Sequence, residues 1–138
     1  MRDLNSIIIH CAYTRPSMDI GVKEIDEWHR GHPNYWNSCG YHRVIRRNGR
    51  IEKGRPIHVA GAHALGHNHD SIGVCLIGGM KEKEKKPDCN FTKWQWHALE
   101  VLIETLQAKY GPLDVFGHRD VSSKECPCFD VRQWWSKR

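Results

Sequence analysis

The sequence predicts an α/β (α+β) domain, a central mixed β-sheet of about five strands flanked by helices. Three observations predict it. Short apolar runs such as Ile7-Ile8-Ile9 and Ser71-Ile72-Gly73-Val74-Cys75-Leu76-Ile77 are rich in β-branched residues and lack helical spacing. A long stretch at 92–110 carries a helical stripe instead. Strand-like and helix-like segments alternate along the chain rather than segregating into halves. With 138 residues the chain has room for one ordinary domain, expected to span 1–138.

Each element has a local cause. Residues 6–12 are short, apolar and β-branched and run toward Arg15-Pro16, so they read as a buried strand. Val22, Ile25 and Trp28 recur every three residues and predict a short amphipathic helix over 21–29, stopped by Gly31 and Pro33. Residues 41–47 and 50–54 flank Asn48-Gly49, a hairpin signal whose two turn residues are expected to take positive φ. Residues 71–77 form a further strand, closed by Gly78-Gly79. Lys81-Glu82-Lys83-Glu84-Lys85-Lys86-Pro87 reads as a solvated loop. In the helix over 92–110, Thr92 and Gln95 match a capping box, while Trp96, Leu99, Leu102, Ile103 and Leu106 make the stripe and Gly111-Pro112 the stop. Residues 113–117 predict the last strand, and 131–136 a short helix with Asp130 as N-cap.

Composition narrows the function classes. Hydrophobic residues are 39% and charged residues 27% of the chain, the balance of a globular protein. No apolar run approaches the ~18–20 residues that span a bilayer, and the N-terminal segment lacks a signal-peptide pattern, so neither a membrane span nor an export segment is expected. The net charge of +5 favours a polyanionic partner, such as nucleic acid, anionic lipid or a charged cell wall, without choosing among them. No RNP, helix-turn-helix or zinc-finger pattern is present, so direct nucleic-acid binding would rest on charge alone. Six cysteines without an export segment read as reduced thiols, and no CxxC pair suggests a zinc ribbon or a dithiol redox site.

His10 ends the first strand, His118 follows the last, and Cys126 lies eight positions further on. Two imidazoles and a thiolate are a sufficient donor set for Zn²⁺, with the fourth tetrahedral position left for water. Spacing alone leaves this open: a strand histidine is commonly a core residue, and Cys126 with His118 also matches a nucleophile–base pair. His42 alternates against Tyr41 and reads as structural. Cys11, Cys39, Cys75 and Cys89 read as small apolar residues, Cys128 as structural, and His67 and His69 as surface. Trp96 belongs to the helix stripe, whereas Trp36, in a loop, is the better candidate for a groove wall.

Several blocks then become recognisable in order: His10-Cys11-Ala12-Tyr13-Thr14, Gly40-Tyr41-His42-Arg43-Val44-Ile45, Gly61-Ala62-His63-Ala64-Leu65-Gly66-His67-Asn68, Ser71 to Gly79, Lys124-Glu125-Cys126-Pro127 and the ending Phe129-Asp130 to Trp134-Trp135. The set resembles the zinc-dependent N-acetylmuramoyl-L-alanine amidases, a family that includes the peptidoglycan recognition proteins, and is most similar to the amidase-type lysozymes (endolysins) of short-tailed coliphages. It covers nearly the whole chain.

The resemblance implies one Zn²⁺ held by His10, His118 and Cys126, with Tyr41 and Lys124 as catalytic side chains and His63 and Asn68 lining the substrate groove. It implies hydrolysis of the amide between N-acetylmuramic acid and the L-alanine of the stem peptide, and so lysis of a host cell wall. Recognition-only relatives lose the third ligand; this chain keeps Cys126, which favours an enzyme over a binding module. The implied setting is a monomer held in the host cytoplasm until the membrane is opened, with the phage RNA polymerase as a second partner on this type of fold. A non-catalytic peptidoglycan-binding or polymerase-regulating protein is the alternative. Cys128 lies outside the family pattern.

Overall fold

The structure is a computed structural model and describes residues 2–138. Strands β1 (Ser6–Cys11), β2 (Arg43–Ile45), β3 (Ile51–Lys53), β4 (Ser71–Leu76) and β5 (Asp114–Gly117) form one sheet in the order β3-β2-β4-β1-β5. The pairings β1–β4, β1–β5 and β2–β4 are parallel, and β2–β3 is antiparallel. Helices α1 (Val22–Arg30), α2 (Lys93–Tyr110) and α3 (Val131–Lys137) flank it. The mixed five-strand sheet matches the fold expected from sequence.

β1 lies inside the sheet with a neighbour on each edge and is covered on both faces, which is why it is a continuous apolar run rather than an alternating one. Ile7, Ile9 and Cys11 pack in one core with Leu99, Leu102, Ile103 and Leu106 of α2 and Val131 of α3. Ile8 packs on the opposite face with Ala64 and Phe116. A third cluster joins Ile25 of α1 to Val44, Cys75 and Ile77. Full burial of each isoleucine removes apolar surface worth roughly 1.5–3 kcal/mol.

The capping box at Thr92 and Gln95 forms as read: Thr92 Oγ1 accepts from Gln95 N at 3.1 Å, and Gln95 Oε1 accepts from Thr92 N at 3.0 Å. Gln95 has a further role that its periodicity did not announce. Fully buried, its amide donates to the carbonyls of Ile45 and Ile77 at 3.2 and 2.8 Å, tying the start of α2 to β2 and to the residue after β4. Asp130 caps α3 by accepting from Gln133 N at 3.1 Å. α1 has no capping side chain at Gly21; instead Glu52 of β3 accepts from Val22 N at 2.9 Å and Glu24 from Gly21 N at 2.7 Å.

Three local expectations are corrected. Trp28 is 46% exposed and only Ile25 of its triplet is buried. A step of three residues drifts about 60° around a 3.6-residue helix, so the third member leaves the buried face. The hairpin turns differently from the two-residue form: Gly49 N donates to Arg46 O at 2.9 Å, Arg46 N donates to Arg50 O at 2.9 Å, and only Gly49, not Asn48, has positive φ (89°). This is a three-residue connection with glycine at the left-handed position. Cys89 is exposed, whereas Cys11, Cys39 and Cys75 are buried as expected.

Candidate functional site

The parallel strands β1 and β5 run side by side, so their carboxyl ends deliver His10-Cys11 and Gly117-His118 to the same edge. A crevice at the carboxyl ends of parallel strands is where open α/β sheets bind ligands. Here the cleft has a volume of about 790 Å³ and is lined by His10, Tyr41, His118, Lys124 and Cys126 among others. Val121 N donates to His118 O at 3.1 Å and Arg119 N to Cys126 O at 2.7 Å, folding the loop that carries Lys124 and Cys126 back against His118.

Candidate ligand atoms of His10, His118 and Cys126 all lie within 4.8 Å of one another, a group able to hold a metal ion. The donor chemistry suits a borderline-soft cation: two imidazoles and a sulfur, with no carboxylate. His10 is 1% exposed, and burial, then the neighbouring His63 and His118 rings and Lys124, pushes its pKa well below the ordinary histidine range. Burial and then Lys124 lower that of His118. Both rings are thus neutral at pH 7 and offer lone pairs. The backbone amide of Cys11 donates to Cys126 Sγ at 3.1 Å and holds that sulfur beside the two rings.

Tyr41 stands beside the group, its ring centroid 5.1 Å from that of His10. Burial, and then the sulfurs of Cys75, Cys126 and Cys11, raises its phenol well above the ordinary range, so at neutral pH it is an O–H donor. Lys124 is exposed at the cleft rim, near His10 and His118. Trp36 lines the cleft and is half-buried, its ring 4.7 Å from His29.

Of the two residues expected in the groove, His63 lines the cleft and Asn68 does not. His63 touches the cleft but is only 8% exposed, with Nδ1 2.9 Å from His10 Nε2 and Nε2 3.2 Å from Ser71 Oγ. Asn68 is not among the cleft-lining residues; its Oδ1 accepts from the amides of His63 and Ala64, each at 2.9 Å. His42, fully buried, accepts from Gly73 N at Nδ1 (3.0 Å) and so donates from Nε2 to Val59 O (2.7 Å), a structural role as expected. Arg2 also lies 3.0 Å from that Nε2, but with the proton there the contact is not a hydrogen bond.

The sequence reading passed over His29 as the last turn of α1. It lines the cleft, accepts from Gly40 N at 2.9 Å, and packs against both Trp36 and Tyr41. Its signal was its place one turn beyond Ile25, on the side facing the sheet rather than solvent.

The fold aligns with N-acetylmuramoyl-L-alanine amidase LysC from Clostridium intestinale URNW at a TM-score of 0.82 and 30% identity, covering 99% of this chain and 85% of that one. It aligns with Drosophila PGRP-LB at 0.73 and 29% identity, covering 92% and 76%. The class of protein is therefore the peptidoglycan amidase and recognition fold. The family profile described as N-acetylmuramoyl-L-alanine amidase matches residues 1–129, and the chain belongs to that family. Among curated relatives, the endolysin of Enterobacteria phage T3 is 46% identical over 132 residues, covering 96% of this chain and 85% of the relative. The endolysin of Escherichia phage T7 is 45% identical over 133 residues, covering 96% and 86%.

Proposed function

We propose that this protein is a zinc-dependent endolysin that cleaves the amide between the lactyl group of N-acetylmuramic acid and the L-alanine of the stem peptide. The observation that carries the reading is the convergence of His10, His118 and Cys126 within 4.8 Å at the cleft of a chain belonging to the amidase family. Neutral imidazoles and a hydrogen-bonded sulfur fit Zn²⁺, and those three residues would hold it. Zinc bound there supplies a Lewis acid that activates water near neutral pH and polarises a carbonyl.

The chain's own residues supply the rest. Hydrolysis places negative charge on the scissile carbonyl oxygen. Tyr41 keeps its proton and donates a hydrogen bond to that oxygen; Lys124 faces it with positive charge. Tyr41, set into the wall, acts in a lower dielectric than solvent, whereas Lys124 acts from the exposed rim. Trp36 offers an indole face to a sugar or lactyl group at the cleft wall. The cleft volume lies within the range of sites that enclose a ligand of several linked groups.

The test is release of new L-alanine amino termini from purified sacculi. Release in zinc-replete buffer, loss on chelation and return on adding zinc are expected. No release in zinc-replete buffer would reject the enzyme in favour of a binding module. Activity that survives chelation but is abolished by thiol alkylation would reject zinc in favour of Cys126 as nucleophile.

A further inference from the structure

We infer that His63 is a positioning residue for His10, fixing its tautomer and ring orientation through a hydrogen-bond chain that ends on Ser71 and the His67 carbonyl. This rests on the reading of His10 as a metal ligand and extends it one layer outward.

The direction of the chain follows from donor counting. Ser71 Oγ lies 2.7 Å from His67 O, a pure acceptor, so the hydroxyl proton is committed there. The same oxygen, 3.2 Å from His63 Nε2, must then accept, which places the His63 proton on Nε2. A neutral His63 therefore presents a lone pair at Nδ1. His10 Nε2, 2.9 Å away, must carry the proton and donate it. The nitrogen of His10 left with a lone pair is Nδ1, so a metal at this site would be taken by Nδ1 alone. Every polar atom runs one way, from His10 to His63 to Ser71 to the His67 carbonyl.

The surroundings are built for that ring. His10, His63 and Ser71 are 1%, 8% and 0% exposed, so water cannot readily replace a lost partner. A Cβ on Gly73 of β4 would sit 2.6 Å from the His63 ring, and one on Gly61 would sit 2.6 Å from its Cδ2. Glycine at both positions leaves the space the imidazole occupies. Asn68 fixes the His63 backbone from behind. Asn68 thus supports His63 from outside the cleft, and His63 links the cleft to that support.

The test measures zinc affinity by competition with a chromophoric chelator for the wild type, His63→Leu and His63→Asn, alongside long-range ¹H–¹⁵N NMR of the zinc-loaded wild type. His63→Leu should weaken zinc binding about 10–100-fold, the usual effect of removing a histidine ligand's hydrogen-bond partner. His63→Asn, whose carbonyl oxygen stands near the place of Nδ1, should recover most of the loss. The spectrum should show protons on Nε2 of both His10 and His63. Undiminished affinity in folded His63→Leu, or a His63 proton on Nδ1, overturns the inference while leaving the zinc reading intact. A wild type that binds no zinc overturns both. Should His63→Leu fail to fold, the wild-type spectrum decides alone.

Discussion

The backbone amide of Cys11, the last residue of β1, donates to Cys126 Sγ at 3.1 Å across 115 positions of sequence. Cys11 O lies 3.8 Å from the same sulfur. Strand β1 therefore holds the candidate third ligand with its main chain, while His10, one residue earlier, supplies the first with its side chain. Ligand and anchor come from two adjacent residues of β1, so the geometry of the metal group is coupled to a strand buried along its whole length.

Replacing that sulfur isolates the metal from the fold. Cys126→Ala should reduce bound zinc from about one equivalent to near none and remove activity on sacculi. The loop retains its bond from Arg119 N to the Cys126 carbonyl, which does not depend on the side chain. Metal analysis and circular dichroism on the same sample check this: loss of zinc with an unchanged spectrum is expected.

Tyr41 and Lys124 act on charge that develops during the reaction. Tyr41→Phe and Lys124→Ala should each lower kcat about 10²–10³-fold, the range for removal of one donor to a developing oxyanion. Zinc content should be unchanged in both. Because burial raises the Tyr41 phenol well above its ordinary range, its ionisation should not produce a loss of rate on the alkaline side near neutrality. Turnover of a soluble muropeptide across pH, with metal content measured in parallel, tests both points.

His42 gives the fold an acid-sensitive element away from the metal group. Burial lowers its pKa from 6.5 to about 4, outweighing the hydrogen bond to Val59 O. The unfolded chain thus binds a proton that the folded chain refuses between those values. The contribution to stability is complete above pH 6.5 and is lost as pH falls toward 4, amounting to about 3 kcal/mol at most. Urea midpoints measured from pH 7 to pH 4 should fall, and His42→Gln should flatten the part of the slope due to this ring.

Gln95 joins three pieces of structure through one buried amide. Gln95→Ala removes the bonds to Ile45 O and Ile77 O and half of the capping box. Two buried carbonyls losing a donor, with the cavity left behind, should cost about 2–4 kcal/mol. Chemical denaturation of the apo protein reads this directly, and the zinc affinity of the folded variant should match the wild type, since Gln95 does not line the cleft.

The sequence by itself determined the elements and the identity of the chemistry-bearing residues. The Ile7-Ile8-Ile9 strand, the Thr92–Gln95 cap, the stop at Gly111 and the Asp130 cap depend on neighbours within a few residues, so they are legible in one pass along the chain. The ordered blocks from His10 to Trp135 named the family for the same reason, being short strings at fixed places. Tertiary structure decided what meets what. The parallel register of β1 with β5 brings His10 to His118, and the returning loop adds Cys126. The same packing turned Trp28 outward, left Cys89 exposed and set His63 against His10 with Asn68 behind it. A hydrogen bond between residues far apart in sequence is fixed by sheet register and by the space that glycines 61 and 73 leave open, and neither leaves a periodic trace in the chain.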